Sequence, residues 1–335
     1  MGRFTTASRL IAAIVALLAF ACGRVGFQST SAEVRDSGAR VDATDSQDSG
    51  GMDAADVDAA REPSDGDVAF DAGARAPFGP PVRIEALWDP SCSTGDPTLG
   101  PDELEIYFVR RNEVMVAADV YVARRADTAS AWGSPERDAD LSGSGDDASP
   151  SMSRDGRELW LSSIRSGGLG AHDVWVSERA DATARWSTPV HVGELSSVAN
   201  ESSPTVDGSG LFGIMAVGMA GARDLFSTRR ADRSSRWSPL EARADLNTSS
   251  DDSTASIAAD GLELYFSSDR PGAMGERDLW VATRADPDSP FGAAELLVEL
   301  NSTADESNPW VSADGRRIYF DTNRDGVTAI YVASR

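Results

Sequence analysis

The chain has 335 residues, of which 54 are Asp or Glu and 31 are Lys or Arg, so its formal net charge is -23. Every basic residue is Arg, since the sequence contains no Lys. This charge argues against nucleic-acid binding, because the phosphates would be repelled. It suits a soluble surface, or a site for cations or basic partners.

The first 22 residues predict an export signal. Arg3 and Arg9 supply its positive start, and the apolar run 10–21 is too short to span a bilayer but has the length of a signal-peptide core. Small residues lead into Cys22, as in bacterial lipoprotein signals, in which cleavage leaves an acylated cysteine at the N-terminus. The alternative is an ordinary secretory signal cut near the same bond. We expect lipidation at Cys22, and Gly23 favours anchoring to the outer membrane, facing the periplasm or the cell surface.

Residues 23–76 predict a disordered acidic linker. They contain twelve Asp or Glu against five Arg, with Phe27 and Phe70 as the only aromatic residues. Such a composition cannot bury enough apolar surface to offset the entropy of ordering the chain. The segment is therefore expected to act as an extended tether that holds a folded domain away from a membrane.

From Phe78 onward the sequence repeats with a period of about fifty residues, which is its strongest signal. An aromatic residue opens each unit, a Leu follows, and two short apolar-aromatic strands come next, bounded by turn residues. Four short strands per unit, without a helical period, predict an all-β fold: a five-bladed β-propeller of four-stranded blades over residues 77–335. The opening aromatic residues are Phe78, Trp132, Trp186, Trp237 and Phe291, at spacings of 54, 54, 51 and 54 residues.

One pattern recurs along the chain: a turn centred on Asp-Gly, then an apolar strand, then a turn that contains Arg, and last a strand that ends the unit. Its clearest copies are segments 150–179, 254–284 and 309–335. This pattern resembles the WD40-like PD40 repeat of the TolB-type propeller of the Tol system. The resemblance covers residues 78–335 and is more specific for fold than for function. It implies that the first strand, 81–87, completes the last blade and closes the ring. The third unit has Met219 where Arg is usual, so its blade is expected to be the least regular.

Carboxylates stand just before the innermost strand of each unit, so they are expected to ring one mouth of the propeller channel. Such a ring would attract cations or the basic groups of a partner. Its oxygen ligands suit Ca²⁺ more than transition metals, so weak Ca²⁺ binding is one alternative. Another alternative is that these acids are structural and form hydrogen bonds to hydroxyls, turn amides or the repeated Arg165, Arg270 and Arg324. The candidate binding ring is Asp96, Asp147, Glu201, Asp252 and Glu306.

The sequence predicts no catalytic residue, no metal site and no cofactor. Cys92 has no second cysteine in the folded part to pair with. His172 and His191 fall in unrelated phases of the repeat, which favours surface roles. The acids recur by symmetry, whereas a catalytic carboxylate pair needs two different environments. The chain is therefore predicted not to be an enzyme.

The predicted function is a non-enzymatic binding or scaffolding lipoprotein of the cell envelope. It would use one propeller face to contact an unidentified envelope protein, and would touch the membrane only through its lipid anchor. The alternative is a propeller glycoside hydrolase or carbohydrate-binding protein, because five-bladed propellers host glycosidases, which need two carboxylates at a set separation. A third reading is a spacer or surface-coat element without a specific ligand.

Overall fold

The computed structural model describes residues 75–112 and 117–335. The predicted signal peptide, Cys22 and the predicted linker up to residue 74 lie outside the described residues. Among the described residues, no helix has the length and apolar character needed to cross a membrane. These residues form five four-stranded antiparallel sheets, whose inner strands contact one another in sequence order until the fifth meets the first. The predicted five-bladed β-propeller is confirmed.

The blades follow the sequence repeats in order, each strand pairing with the next along the chain. Blade 1 is β2 (Cys92–Leu99), β3 (Glu105–Asn112), β4 (Ala118–Arg124) and β5 (Glu136–Arg137). Blade 2 is β6 (Asp147–Met152), β7 (Glu158–Ser163), β8 (Asp173–Glu178) and β9 (Val190–His191). Blade 3 is β10 (Glu201–Val206), β11 (Phe212–Met219), β12 (Ala222–Arg229) and β13 (Glu241–Ala242). Blade 4 is β14 (Asp252–Ile257), β15 (Glu263–Ser268), β16 (Asp278–Thr283) and β17 (Glu295–Leu296). Blade 5 is β18 (Glu306–Val311), β19 (Arg317–Thr322), β20 (Ala329–Ser334) and β1 (Val82–Arg83).

The ring closes through the first strand, as predicted. β1 pairs antiparallel with β20, with Val82 opposite Val332. The backbone N–H of Ile84 donates to the carbonyl of Ile330 at 3.0 Å, just beyond the strand. This pairing covers the edge that the last blade would otherwise expose.

The repeated aromatic residues pack between blades. Trp186 of blade 2 is 6% exposed and donates its indole N–H to the Tyr107 hydroxyl of blade 1 at 2.9 Å. The two rings meet edge to face, with centroids 5.9 Å apart. Such pairs add about 0.5–1.5 kcal/mol beyond the burial of their area. The aromatic residues thus hold each blade to its neighbour.

Each inner strand carries a β-bulge, and the bulged residue has the left-handed backbone conformation. In four blades a proline follows it, which has no N–H to offer the neighbouring strand. The irregularity occurs at the same height in all blades and forms a narrow ring around the channel. We call it the bulge ring; it consists of Asp96 (φ 54°), Ser149 (φ 50°), Ser203 (φ 51°), Thr254 (φ 49°) and Asn308 (φ 52°).

Blade 3 is regular, although the sequence predicted it to be the least regular blade. Its two middle strands are eight residues each and pair without interruption to Met219 opposite Ala222. Ala220 and Gly221 make the two-residue turn between them, and Gly221 has φ 87°. The unit lacks the usual Arg because a tight hairpin replaces the longer loop that holds it elsewhere.

Candidate functional site

Four acids of the predicted binding ring lie inside the blades. Asp147, Glu201, Asp252 and Glu306 are all fully buried, with 0% exposure. The Asp252 carboxylate accepts hydrogen bonds from the Ser268 hydroxyl at 2.5 Å and the Arg270 guanidinium at 2.6 Å. Such a group cannot meet a partner at a channel mouth.

The same arrangement recurs in two other blades. Asp147 accepts from Arg165 at 2.5 Å, and Glu306 accepts from Arg324 at 3.0 Å. In blade 3, which has no such Arg, Glu201 accepts from the Ser197 hydroxyl at 2.5 Å. These contacts favour the structural alternative for the four acids, because each ties the start of an inner strand to a neighbouring turn.

Asp96 belongs to a different position of the repeat. The bulges align it with Ser149, Ser203, Thr254 and Asn308, whereas Thr94 stands where the other blades carry the buried acid. The sequence analysis grouped Asp96 with the other acids because it lies close to the inner strand. It missed that Asp96 stands two residues after the position that the other acids occupy in the repeat. Asp96 is the one member of the predicted ring that lines the channel cavity.

The cavity is a polar bowl at the end of the blades where the inner strands begin; we call this end the mouth face. Its volume is about 440 Å³, within the range of small-molecule sites. All five blades contribute lining residues, and the bulge ring lies at its base. Its lining is mostly Asp, Asn, Arg, Ser and Thr, with His172 and a few small apolar residues among them, and it includes no Phe, Trp or Tyr of the described chain.

Asp321 joins Asp96 at the seam between blades 5 and 1. It lies on β19, at the repeat position held by Val109, Ser162 and Ala216 in other blades. It is 5% exposed, and its Oδ1 has no hydrogen-bond partner among the described residues. Gly95 leaves the space it needs, because a Cβ there would lie 2.8 Å from Asp321 Oδ2.

Burial raises the pKa values of both carboxyls. For Asp321, burial raises the pKa well above its ordinary value, and the neighbouring Asp96 raises it further. For Asp96, burial also raises the pKa, while the Ser149 backbone N–H, at 2.8 Å, favours the ionised form. The two groups titrate as a pair, and the proton stays more readily on Asp321.

Three arginine–aspartate pairs surround this carboxyl pair nearer the mouth. Arg223 makes two contacts with Asp251, at 2.9 and 2.7 Å, and Arg277 makes two with Asp305, at 2.9 and 2.7 Å. Each pair joins one blade to the next. The third pair is Arg111 with Asp146, at 3.3 Å.

His172 contacts the same Asp146 carboxylate, with Nε2 at 3.3 Å. Burial raises the pKa of Asp146, but His172, the Ala118 backbone N–H and Arg111 together lower it to about 2. His172 therefore lines the cavity instead of a free surface, and sequence reasoning missed it because its partner precedes β6 while His172 precedes β8, so the two meet only when blade 2 has folded.

The described residues contain no group of three or more His, Cys, Asp or Glu side chains placed to hold a metal ion. Weak Ca²⁺ binding stays a prediction. What the cavity offers is hydrogen-bonding groups for a polar ligand and two adjacent carboxyls in different environments. Such a pair can give a proton to one ligand atom and take one from another.

No family model and no curated protein matches the chain. Solved structures share the fold. TolB from Acinetobacter baumannii matches with 16% identity over 73% of this chain and a TM-score of 0.45, and this chain spans only 55% of that one. An endo-arabinase from Bacteroides thetaiotaomicron matches with 16% identity over 78% of this chain and 98% of its own, with a TM-score of 0.51. The propeller fold that the TolB-type resemblance implied is the fold observed.

The prediction that the chain is not an enzyme is contradicted. The endo-arabinase has the same fold, so the architecture itself accommodates glycoside hydrolysis. The argument from symmetry also fails, because Asp96 and Asp321 occupy positions where the other blades carry no acid. The exclusion counted Asp96 as one of the repeating acids and did not consider Asp321.

Proposed function

We propose that the propeller binds a glycan in the channel cavity and hydrolyses a glycosidic bond with Asp96 and Asp321. The observation that carries the proposal is this single carboxyl pair, which breaks the fivefold repeat and lines the cavity from two blades. Glycosidases use two carboxyl groups, one protonated and one ionised at the working pH. The fold shared with an endo-arabinase supports the proposal.

The two carboxyls would take different roles. Asp321, with the more strongly raised pKa and a free Oδ1, would donate its proton to the glycosidic oxygen as the bond to the sugar breaks. Asp96, whose ionised form accepts the Ser149 N–H, would act from its own side, either as a nucleophile that bonds to the sugar carbon until water displaces it, or as a base that takes the proton of the water attacking that carbon. Hydroxyl and amide groups around them, such as Asn308 and Asn323, would orient the sugar.

The test is hydrolysis of a panel of nitrophenyl glycosides and plant polysaccharides, including arabinan, by the purified full chain. Asp96→Asn and Asp321→Asn should each lower the rate by about 10²–10⁴-fold, the range found for acid–base residues. Asp232→Asn, in an exposed turn of blade 3, is the matched control and should keep full activity. Absence of hydrolysis on the whole panel, or equal activity in all variants, would refute the proposal.

A second candidate is a protein-binding role for the mouth face, as expected for an envelope scaffold. Its support is a set of exposed apolar side chains in the loops that surround the cavity in blades 2, 3 and 4. Val198→Asp and Met219→Asp should abolish capture of an envelope protein, and Val190→Asp, on an outer strand, should not. The exposed set is Ile164 (48%), Leu169 (58%), Val198 (90%), Met219 (77%) and Met274 (45%).

For localisation we propose export and lipid anchoring through Cys22, to the outer membrane. The described chain starts at the face opposite the mouth, where Gly79 N–H donates to Ser334 O at 2.7 Å and Arg75 pairs with Glu263. Labelling cells with a radioactive fatty acid tests this; incorporation should be lost in Cys22→Ser, and label retained in that variant would contradict it.

A further inference from the structure

One arginine reaches across the channel at the end opposite the mouth. Arg154 lies in the tight turn after β6, in blade 2. Its Nη1 donates to the Val311 carbonyl of blade 5, and its Nη2 to the Ile257 carbonyl of blade 4, both at 2.8 Å. The guanidinium also lies over the Trp310 ring, 5.3 Å from its centroid. One side chain thus joins three blades.

Arg154 is held there without a carboxylate partner. Among the described residues no acid lies within salt-bridge distance of it, and burial lowers its pKa to about 10. A partly buried charge without an ion pair is costly. Two charge-assisted hydrogen bonds to carbonyls offset that cost in part. The arrangement is specific to one blade, since the other four turns have short residues at this place: Pro101, Gly208, Ala259 and Ala313.

Below the cavity, the channel is narrow. Beneath the bulge ring lies a space of only about 40 Å³, lined by the inner strands of all five blades. That is room for a water molecule and not for a sugar. Arg154 then covers the far end of the same channel. A ligand that enters at the mouth therefore cannot pass through.

From this geometry we infer that the cavity is a blind pocket that accepts the end of a glycan chain, with Arg154 as the side chain that closes it. The inference rests on the proposed function and narrows it to hydrolysis at a chain end. A glycan bound along its length needs an open path on both sides of the reacting bond. Here all five blades wall the bowl, and its base is closed.

The first experiment follows the products formed from reducing-end-labelled arabino-oligosaccharides, or from the glycan of the panel that the full chain hydrolyses. Stepwise shortening from one end supports the blind pocket. Fragments from internal cleavage would overturn it while leaving the proposed function intact. Absence of hydrolysis on every glycan refutes the proposed function instead, and the second experiment then decides the pocket's shape alone.

The second experiment needs no ligand. Ser256, 5% exposed, lines the narrow space; Ser256→Cys in a Cys92→Ser background gives one thiol there in the folded part. Arg154→Ala should speed the modification of this thiol by a methanethiosulfonate reagent at least about tenfold. With Arg154 in place, the thiol is shielded and reacts only when the structure opens locally. Arg157→Ala, an exposed arginine next to the same turn, should leave the rate unchanged. Equal rates in all three proteins would overturn the role of Arg154, and Ser151→Cys replaces Ser256→Cys if the latter fails to fold.

Discussion

Gly95 and Asp321 fit together across the seam between the first and last blades: a Cβ on Gly95 would lie 2.8 Å from the Asp321 carboxylate. The glycine is an ordinary extended strand residue, without a positive φ. Its lack of a side chain is what admits a carboxyl group beside Asp96. The seam that closes the ring is therefore also where its symmetry is broken.

Gly95→Ala should displace the Asp321 carboxyl without unfolding the protein. The atom in the way is the end of a side chain, so the cost to the free energy of unfolding should be about 1 kcal/mol, the low end for overpacking. The pKa of Asp321, followed by carboxyl NMR, should fall toward its ordinary value as the displaced carboxyl leaves its buried place and moves away from Asp96. Gly133→Ala, where the added Cβ meets the Arg124 carbonyl, serves as a control outside the cavity. An unchanged titration of Asp321 would contradict the close approach.

The stability that Asp321→Asn adds relative to the parent protein should be larger at neutral pH than at acidic pH. Burial and Asp96 raise the Asp321 pKa in the folded state above the unfolded value of about 3.9. The protonated form then stabilises the fold at low pH, and this stability is lost as pH rises through the folded pKa. Asparagine stays neutral and avoids that loss.

The measurement is the urea unfolding midpoint of both proteins at pH 4 and pH 8. A difference between parent and variant that grows with pH supports the raised pKa. A difference that is the same at both pH values, or that shrinks as pH rises, would contradict it. Asp232→Asn supplies the control, because hydrogen bonds from Ser234 and Ser235 lower the pKa of that carboxyl in the folded state. Its stability difference should run in the opposite direction.

The repeat made the blades predictable, and the same symmetry concealed the site. Aromatic residues at constant spacing and Asp-Gly turns specify local hairpins, which need no knowledge of distant contacts. Asp321 meets Asp96 only because blade 5 adjoins blade 1, a contact between segments more than 200 residues apart. The sequence did contain a signal: aligned on the bulge, Asp321 stands where other units have Val109, Ser162 and Ala216. Arg154 was likewise visible only as an unusual residue in a common turn.

Asp252→Ala should destabilise the protein strongly, although Asp252 does not line the cavity. Its removal leaves the Arg270 guanidinium, 11% exposed, without its carboxylate, and breaking such a buried pair costs about 3–5 kcal/mol. Glu201→Ala should cost less, because no arginine contacts Glu201 among the described residues. Chemical denaturation of the two variants compares them directly. Equal losses would show that the arginine contributes nothing to this contact.

Ile84→Pro should weaken ring closure. It removes the N–H that bonds to the Ile330 carbonyl at 3.0 Å, and a carbonyl left unpaired costs about 1–3 kcal/mol. Ile84 also packs against the core between blades 5 and 1, so Ile84→Val is the matched control and should cost about 0.5–1.5 kcal/mol. Beyond the loss of stability, the proline variant should aggregate faster at equal concentration, because the edge of β20 becomes available to other chains. Light scattering and thermal unfolding of both variants check this. If the proline variant matches the valine variant in both, the ring does not depend on its first strand for closure.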